Sequence, residues 1–125
     1  MKIIAIAHDP GGANAVAATV AALRAAGTQV EAYAKGPAIR QFQRLGVACT
    51  SISEEHQNLF VRLTGDILLT GTSQYDEFER DAILWARQER IPSIAVIDYW
   101  AIIDSVFNHS TILMQNQFFQ ISSQL

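Results

Sequence analysis

A chain of 125 residues, half of them apolar, can bury one real core but hardly two. Its formal net charge of −3 gives no general attraction for nucleic acid or an anionic membrane, and no local basic patch is visible. No apolar run reaches membrane-spanning length, residues 1–7 are too short for a signal peptide before His8 and Asp9 interrupt them, and the lone Cys49 forms no intrachain disulfide. The expectation is a cytoplasmic domain with no membrane span and no nucleic-acid partner.

Short β-branched runs alternate with helical patterns along the chain, the signature of a parallel sheet with crossover helices. Residues 2–7 make the first strand. Residues 13–26 are nearly all alanine, valine and leucine, which predicts a helix with a wide buried face, ended by Gly27 in a left-handed cap. Residues 30–34 follow as a second strand. Pro37 suits the first turn of a helix in which Ile39, Phe42 and Leu45 share a face until Gly46 stops it. Residues 47–52 form a third, weaker strand.

Ser51 and Glu54 have capping-box spacing before a short helix carrying Leu59, Phe60 and Leu63, and residues 66–70 read as a buried strand. The next helix places Tyr75, Phe78, Ala82, Trp85 and Ala86 on one side, with Glu79, Arg80, Arg87 and Gln88 toward water. Pro92 ends it and leads into a fifth strand, residues 93–97. There is no internal repeat and no low-complexity segment.

Five strands in βαβ order with right-handed crossovers predict a Rossmann-like, doubly wound parallel sheet, three layers α/β/α, in the order 3-2-1-4-5. The connection reverses direction between strands one and four, and ligands in such sheets bind at the carboxyl ends of strands beside the reversal. Three segments should converge there: HDPGGAN (8–14), TGTS (70–73) and DYW (98–100).

In HDPGGAN, Gly11 and Gly12 permit close backbone approach, and the helix after them offers unpaired N–H groups to an anion or a polar sugar. Asp9 would resist a phosphate beside it, and the segment is neither a dinucleotide fingerprint nor a Walker loop. A plain strand-to-helix turn would use the same residues. TGTS precedes a helix whose first turn holds Asp76 and Glu77, so hydroxyl-rich ligands fit it better than anions. Ser73 alone also suits an ordinary N-cap. Glu77 has two readings, a base or hydroxyl acceptor and a solvated helix-end charge. In DYW, Asp98 and Trp100 suit holding and stacking on a sugar or base, although Trp100 also suits an interface. His8, His56 and His109 lack metal-site spacing; His8 alone lies where a catalytic proton carrier is useful. No metal and no cofactor is expected.

The set AHDPGGAN, TGTS with a Glu a few residues on, and IPSIAVIDYW resembles the N-terminal part of bacterial polysaccharide-biosynthesis proteins related to two-domain GT-B glycosyltransferases and sugar-nucleotide epimerases. The resemblance covers roughly residues 1–107. It implies that His8, Asp9, Gly11, Gly12, Asn14, Gly71, Thr72, Ser73, Glu77, Asp98 and Trp100 face a cleft between two domains; for a glycosyltransferase-like chain the expected base toward an acceptor hydroxyl is His8 or Glu77, and the others are expected to bind substrate. Two departures stand out. AIIDSVF follows the D-x-W motif where the group has an aromatic and arginine-containing stretch, and the second domain, which in GT-B enzymes makes most nucleotide-sugar contacts, is absent from this sequence.

Residues 1–109 are thus expected to form the Rossmann-like domain, and residues 110–125 an atypical tail. After Arg90 there is no Lys or Arg, and the tail's Ile112, Leu113, Met114, Phe118 and Phe119 must be buried, in a sixth strand or against another chain. A truncated relative and a homodimer both account for such a tail. The functional expectation is a glycosyltransferase-like domain that binds a sugar or acceptor and needs a partner domain for catalysis. The alternative is a stand-alone module for a nucleotide or other small ligand, without catalysis.

Overall fold

The structure is a computed structural model; it describes residues 1–53, 55–73, 76–97, 110–114 and 117–121. The element order is β1 (Lys2–Ala7), α1 (Pro10–Ala25), β2 (Gln29–Lys35), α2 (Pro37–Arg44), β3 (Thr50–Ile52), α3 (Gln57–Phe60), β4 (Ile67–Thr70), α4 (Phe78–Gln88), β5 (Ser93–Ile97), β6 (Ser110–Met114) and β7 (Gln117–Ile121). The first five strands form an all-parallel sheet in the order β3-β2-β1-β4-β5, the expected Rossmann-like doubly wound arrangement. From the tail, β6 pairs parallel with β5 and β7 pairs antiparallel with β6.

Strand alternation sorts side chains into two cores. Ile3, Ala5 and Ala7 of β1 join Val30, Ala32 and Ala34 of β2 beneath α1 and α2. Ile4 and Ile6 point the other way, with Leu68 and Ala95, into the layer formed by α3 and α4. β1 is buried on both faces, as expected for the centre of a parallel sheet.

Several boundaries and faces differ from expectation. α1 begins at Pro10, three residues early, because Pro at the first helical position fixes a helical φ and loses no hydrogen bond. Gly11 and Gly12 therefore lie within its first turn. The buried stripe of α1 is limited to Gly12, Ala13, Val16, Ala17 and Val20, with Ala15 packed at its edge; Ala18, Ala21, Ala22 and Ala25 serve as helix formers on the exposed side, where a methyl group costs little. Leu45 is 47% exposed, since it follows the end of α2, and Ala38 with Phe42 forms the buried face instead.

Ser51 sits in β3 opposite Ala34, where its pairing removes it from any capping box, and His56 takes the cap position of α3. Glu54 and Tyr75 lie outside the described residues. Glu79 is 1% exposed rather than turned to water: residues 79, 82, 83 and 86 form one helical face, and its carboxylate reaches over the backbone of Gly71.

The amino edge of the sheet is held by Arg24, whose guanidinium donates to Val30 O at 2.9 Å and Ala48 O at 2.7 Å. Burial pushes the neighbouring Cys49 thiol above its ordinary value, against the lowering effect of Arg24. Cys49 should alkylate with iodoacetamide at pH 8 several-fold more slowly in the native protein than in urea. Equal rates would show that burial does not protect the thiolate.

Candidate functional site

The site grows from the carboxyl end of β1. Continuing the alternation of Ile4 and Ile6, His8 points toward the α4 layer, and its backbone carbonyl accepts from Ala38 N at 2.8 Å, tying it to the start of α2. Asp9 is extended, with φ −75° and ψ 147°, at the N-cap of α1, and its carbonyl starts the helix by accepting from Ala13 N at 2.9 Å. Its side chain makes no cap bond. It turns sideways: Oδ1 lies 2.7 Å from His8 Nδ1 and accepts from Ser73 Oγ at 2.9 Å.

Ser73 comes from the loop after β4, the strand on the other side of the reversal. While donating to Asp9, its hydroxyl accepts from Asp76 N at 3.2 Å, so it holds the approach to α4 rather than capping the helix itself. Asp76 Oδ1 in turn accepts from Phe78 N at 2.7 Å, and its Oδ2 faces His8 Nε2 at 3.4 Å. His8 is thus flanked by two carboxylates. Its side chain is 18% exposed, and those of Asp9 and Asp76 are 32% and 26% exposed, open enough to meet a ligand.

The floor of the site is backbone. A Cβ on Gly12 would come within 3.3 Å of Gly71 Cα, so two glycines let α1 and the β4 loop touch directly. Thr72 Oγ1 donates to Val96 O at 3.0 Å and ties this loop to β5. Its hydroxyl is therefore engaged within the fold.

Of the residues singled out in the sequence, the structure brings together His8, Asp9, Gly12, Gly71, Thr72 and Ser73. Gly11, in the first turn of α1, and Asn14, just beyond it, are exposed, and the Asn14 side chain takes no part in this network. Glu77 is exposed and makes no side-chain hydrogen bond among the described residues; Asp76, one residue earlier, is the carboxylate that meets His8. Asp98 and Trp100 lie outside the described residues.

A second cluster adjoins the first and was not singled out. His56, only 6% exposed, places Nε2 2.6 Å from Asp81 Oδ2 and Nδ1 3.1 Å from Lys35 Nζ. Its ring packs against Phe60 and Phe78, with centroids 5.9 and 5.3 Å away. Lys35 had a readable signal, being a polar residue at the carboxyl end of a strand. The His56–Asp81 pair spans 25 positions between two helices and had none. Among the described residues no group of three or more His, Cys, Asp or Glu side chains is arranged to hold a metal ion, and no helix is long and apolar enough to cross a membrane. No protein-family model and no curated protein matches the chain.

Proposed function

We propose that this chain binds a hydroxyl-rich small molecule, a sugar or a sugar acceptor, at the carboxyl edge of β1 and β4. In this reading it acts as the acceptor-side domain of a glycosyltransferase-like protein and relies on a second domain for the donor. One observation carries the reading: His8 stands between Asp9 and Asp76 at the topological reversal of the sheet, beside Ser73.

The chemistry follows from the donors and acceptors. With its proton on Nδ1 shared with Asp9, His8 presents a lone pair at Nε2. Asp76 Oδ2 faces that nitrogen at 3.4 Å, longer than a charge-assisted hydrogen bond, so two acceptors border one gap. Neighbouring hydroxyls of a sugar supply one donor to each, one O–H to His8 Nε2 and the next to Asp76 Oδ2. In a transfer reaction His8 would take the proton of the hydroxyl at its Nε2 as that oxygen bonds to the sugar carbon of a nucleotide-sugar donor and the bond from that carbon to the nucleoside diphosphate breaks, the diphosphate leaving with the electron pair and Asp9 stabilising the imidazolium. Phosphate fits less well, because Asp9 lies at the N-cap of α1. The bare first turn of α1, which carries no acidic residue, favours the second reading, a nucleotide-binding module.

Thermal-shift titrations with glucose, N-acetylglucosamine, UDP and UDP-glucose test this. Saturable stabilisation by the simple sugars is expected, reduced at least about tenfold in apparent affinity by Asp9→Asn, which weakens the charge-assisted bond to His8. Stabilisation by UDP alone would replace this reading with the nucleotide module. No shift with any compound would remove both.

A further inference from the structure

We infer that Lys35 is the cation of this site, held by the Asp81–His56 pair to receive an anionic group, a carboxylate or a phosphate, carried by the hydroxyl-rich ligand. The inference rests on the sugar-binding reading above and narrows its ligand class.

Position comes first. β1 and β2 run parallel with Ala7 opposite Ala34, so the next residues, His8 and Lys35, leave the sheet side by side at its carboxyl edge. Gly36, immediately after Lys35, lies so close to His8 that a Cβ there would stand 2.7 Å from Nε2. Phe78 links the clusters from the other side. Its backbone N–H holds Asp76, which faces His8, while Lys35 Nζ lies 5.9 Å from the centre of its ring.

Chemistry then fixes the orientation. An ammonium only donates, so the contact from Lys35 makes His56 Nδ1 the lone-pair nitrogen and places the ring proton on Nε2, toward Asp81. The ring cannot easily turn, because Phe60 and Phe78 flank it in a nearly closed pocket. Lys35 is therefore guided by a buried acceptor rather than left to swing.

What remains is donor capacity. Lys35 is partly buried, and its single hydrogen bond among the described residues goes to a neutral imidazole, leaving two N–H groups. Among the described residues, the carboxylates of the two clusters have partners other than Lys35: Asp81 Oδ2 at His56, Asp9 Oδ1 at His8 and Ser73, and Asp76 Oδ1 at Phe78 N, while Asp76 Oδ2 lies 3.4 Å from His8 Nε2. A partly desolvated ammonium with no carboxylate partner among the described residues is a ready counter-charge for a ligand.

Calorimetric titration of the full chain with glucose, glucuronate, glucose 1-phosphate and inorganic phosphate tests this. At low salt, glucuronate or glucose 1-phosphate should bind about tenfold or more tighter than glucose, and whichever does so identifies the anionic group. Lys35→Gln should bring that ratio close to one, while Lys35→Arg should keep part of it. If Lys35→Gln does not fold, the wild-type salt dependence decides, since the preference should shrink in 0.5 M NaCl. Equal affinity for neutral and charged sugars, or a preference that survives both Lys35→Gln and high salt, overturns the role of Lys35 and leaves the hydroxyl site standing. Binding of phosphate alone, or of none of these compounds, overturns both readings.

Discussion

Phe78→Ala is expected to lower the unfolding free energy by about 3–5 kcal/mol, the usual cost of emptying an aromatic position in a packed core. Phe78 is fully buried, packs against His56 and Phe60, and lies under the ammonium of Lys35. Against a typical domain stability of about 5–15 kcal/mol, such a loss would be visible as a large fall in the urea midpoint. The alanine variant keeps the backbone N–H that holds Asp76, so the His8 cluster retains that contact while the His56 cluster loses its packing. A change below about 1 kcal/mol would mean that Phe78 does not support the α4 layer.

Gly36→Ala is the second large effect, and it combines two causes. Gly36 has φ 60° and ψ −135°, a conformation open in practice to glycine alone, and forcing alanine into it costs on the order of 1–3 kcal/mol. The new methyl would also meet the His8 imidazole and push it from between Asp9 and Asp76. Both a lower melting temperature and loss of the sugar-induced shift are expected. Gly46→Ala separates the causes: its φ is 68°, and nothing lies within 4 Å of a Cβ there. That variant should lose stability through backbone strain but keep the ligand response. If both variants respond equally to sugars, Gly36 does not govern the placement of His8.

The sheet was legible because its strands are apolar and β-branched between polar or glycine-bearing turns, and β1 and β5 have the boundaries that such runs suggest. The strand order followed from βαβ connectivity and crossover handedness, which depend little on individual residues. Helix edges were harder. Pro10 can open a helix or make a turn, and no local signal chooses between them; in the structure it takes the first helical position, and Gly12 in that first turn packs against Gly71. Glu79 was misread because charge suggests water, whereas its helical face places it over a glycine.

The site divided along a similar line. His8, Asp9 and Ser73 were readable as groups at the carboxyl ends of strands flanking the reversal. Asp76 was readable only as a helix-end charge, because choosing between it and Glu77 requires the path of the loop after Ser73. The chain from Asp81 through His56 to Lys35 depends on two helices and a strand meeting at one point, which no local spacing encodes.

The contact between Gly12 and Gly71 has an evolutionary consequence. A crevice floored by main chain has no rotamers to exchange, so its depth cannot be tuned by swapping one side chain for another without moving whole elements. Altered ligand preference must then arise at the rim, through residues such as Asn14, Lys35 and Asp76, while the floor stays the same. A directed search for new specificity should spend its library on those rim positions and leave both glycines untouched.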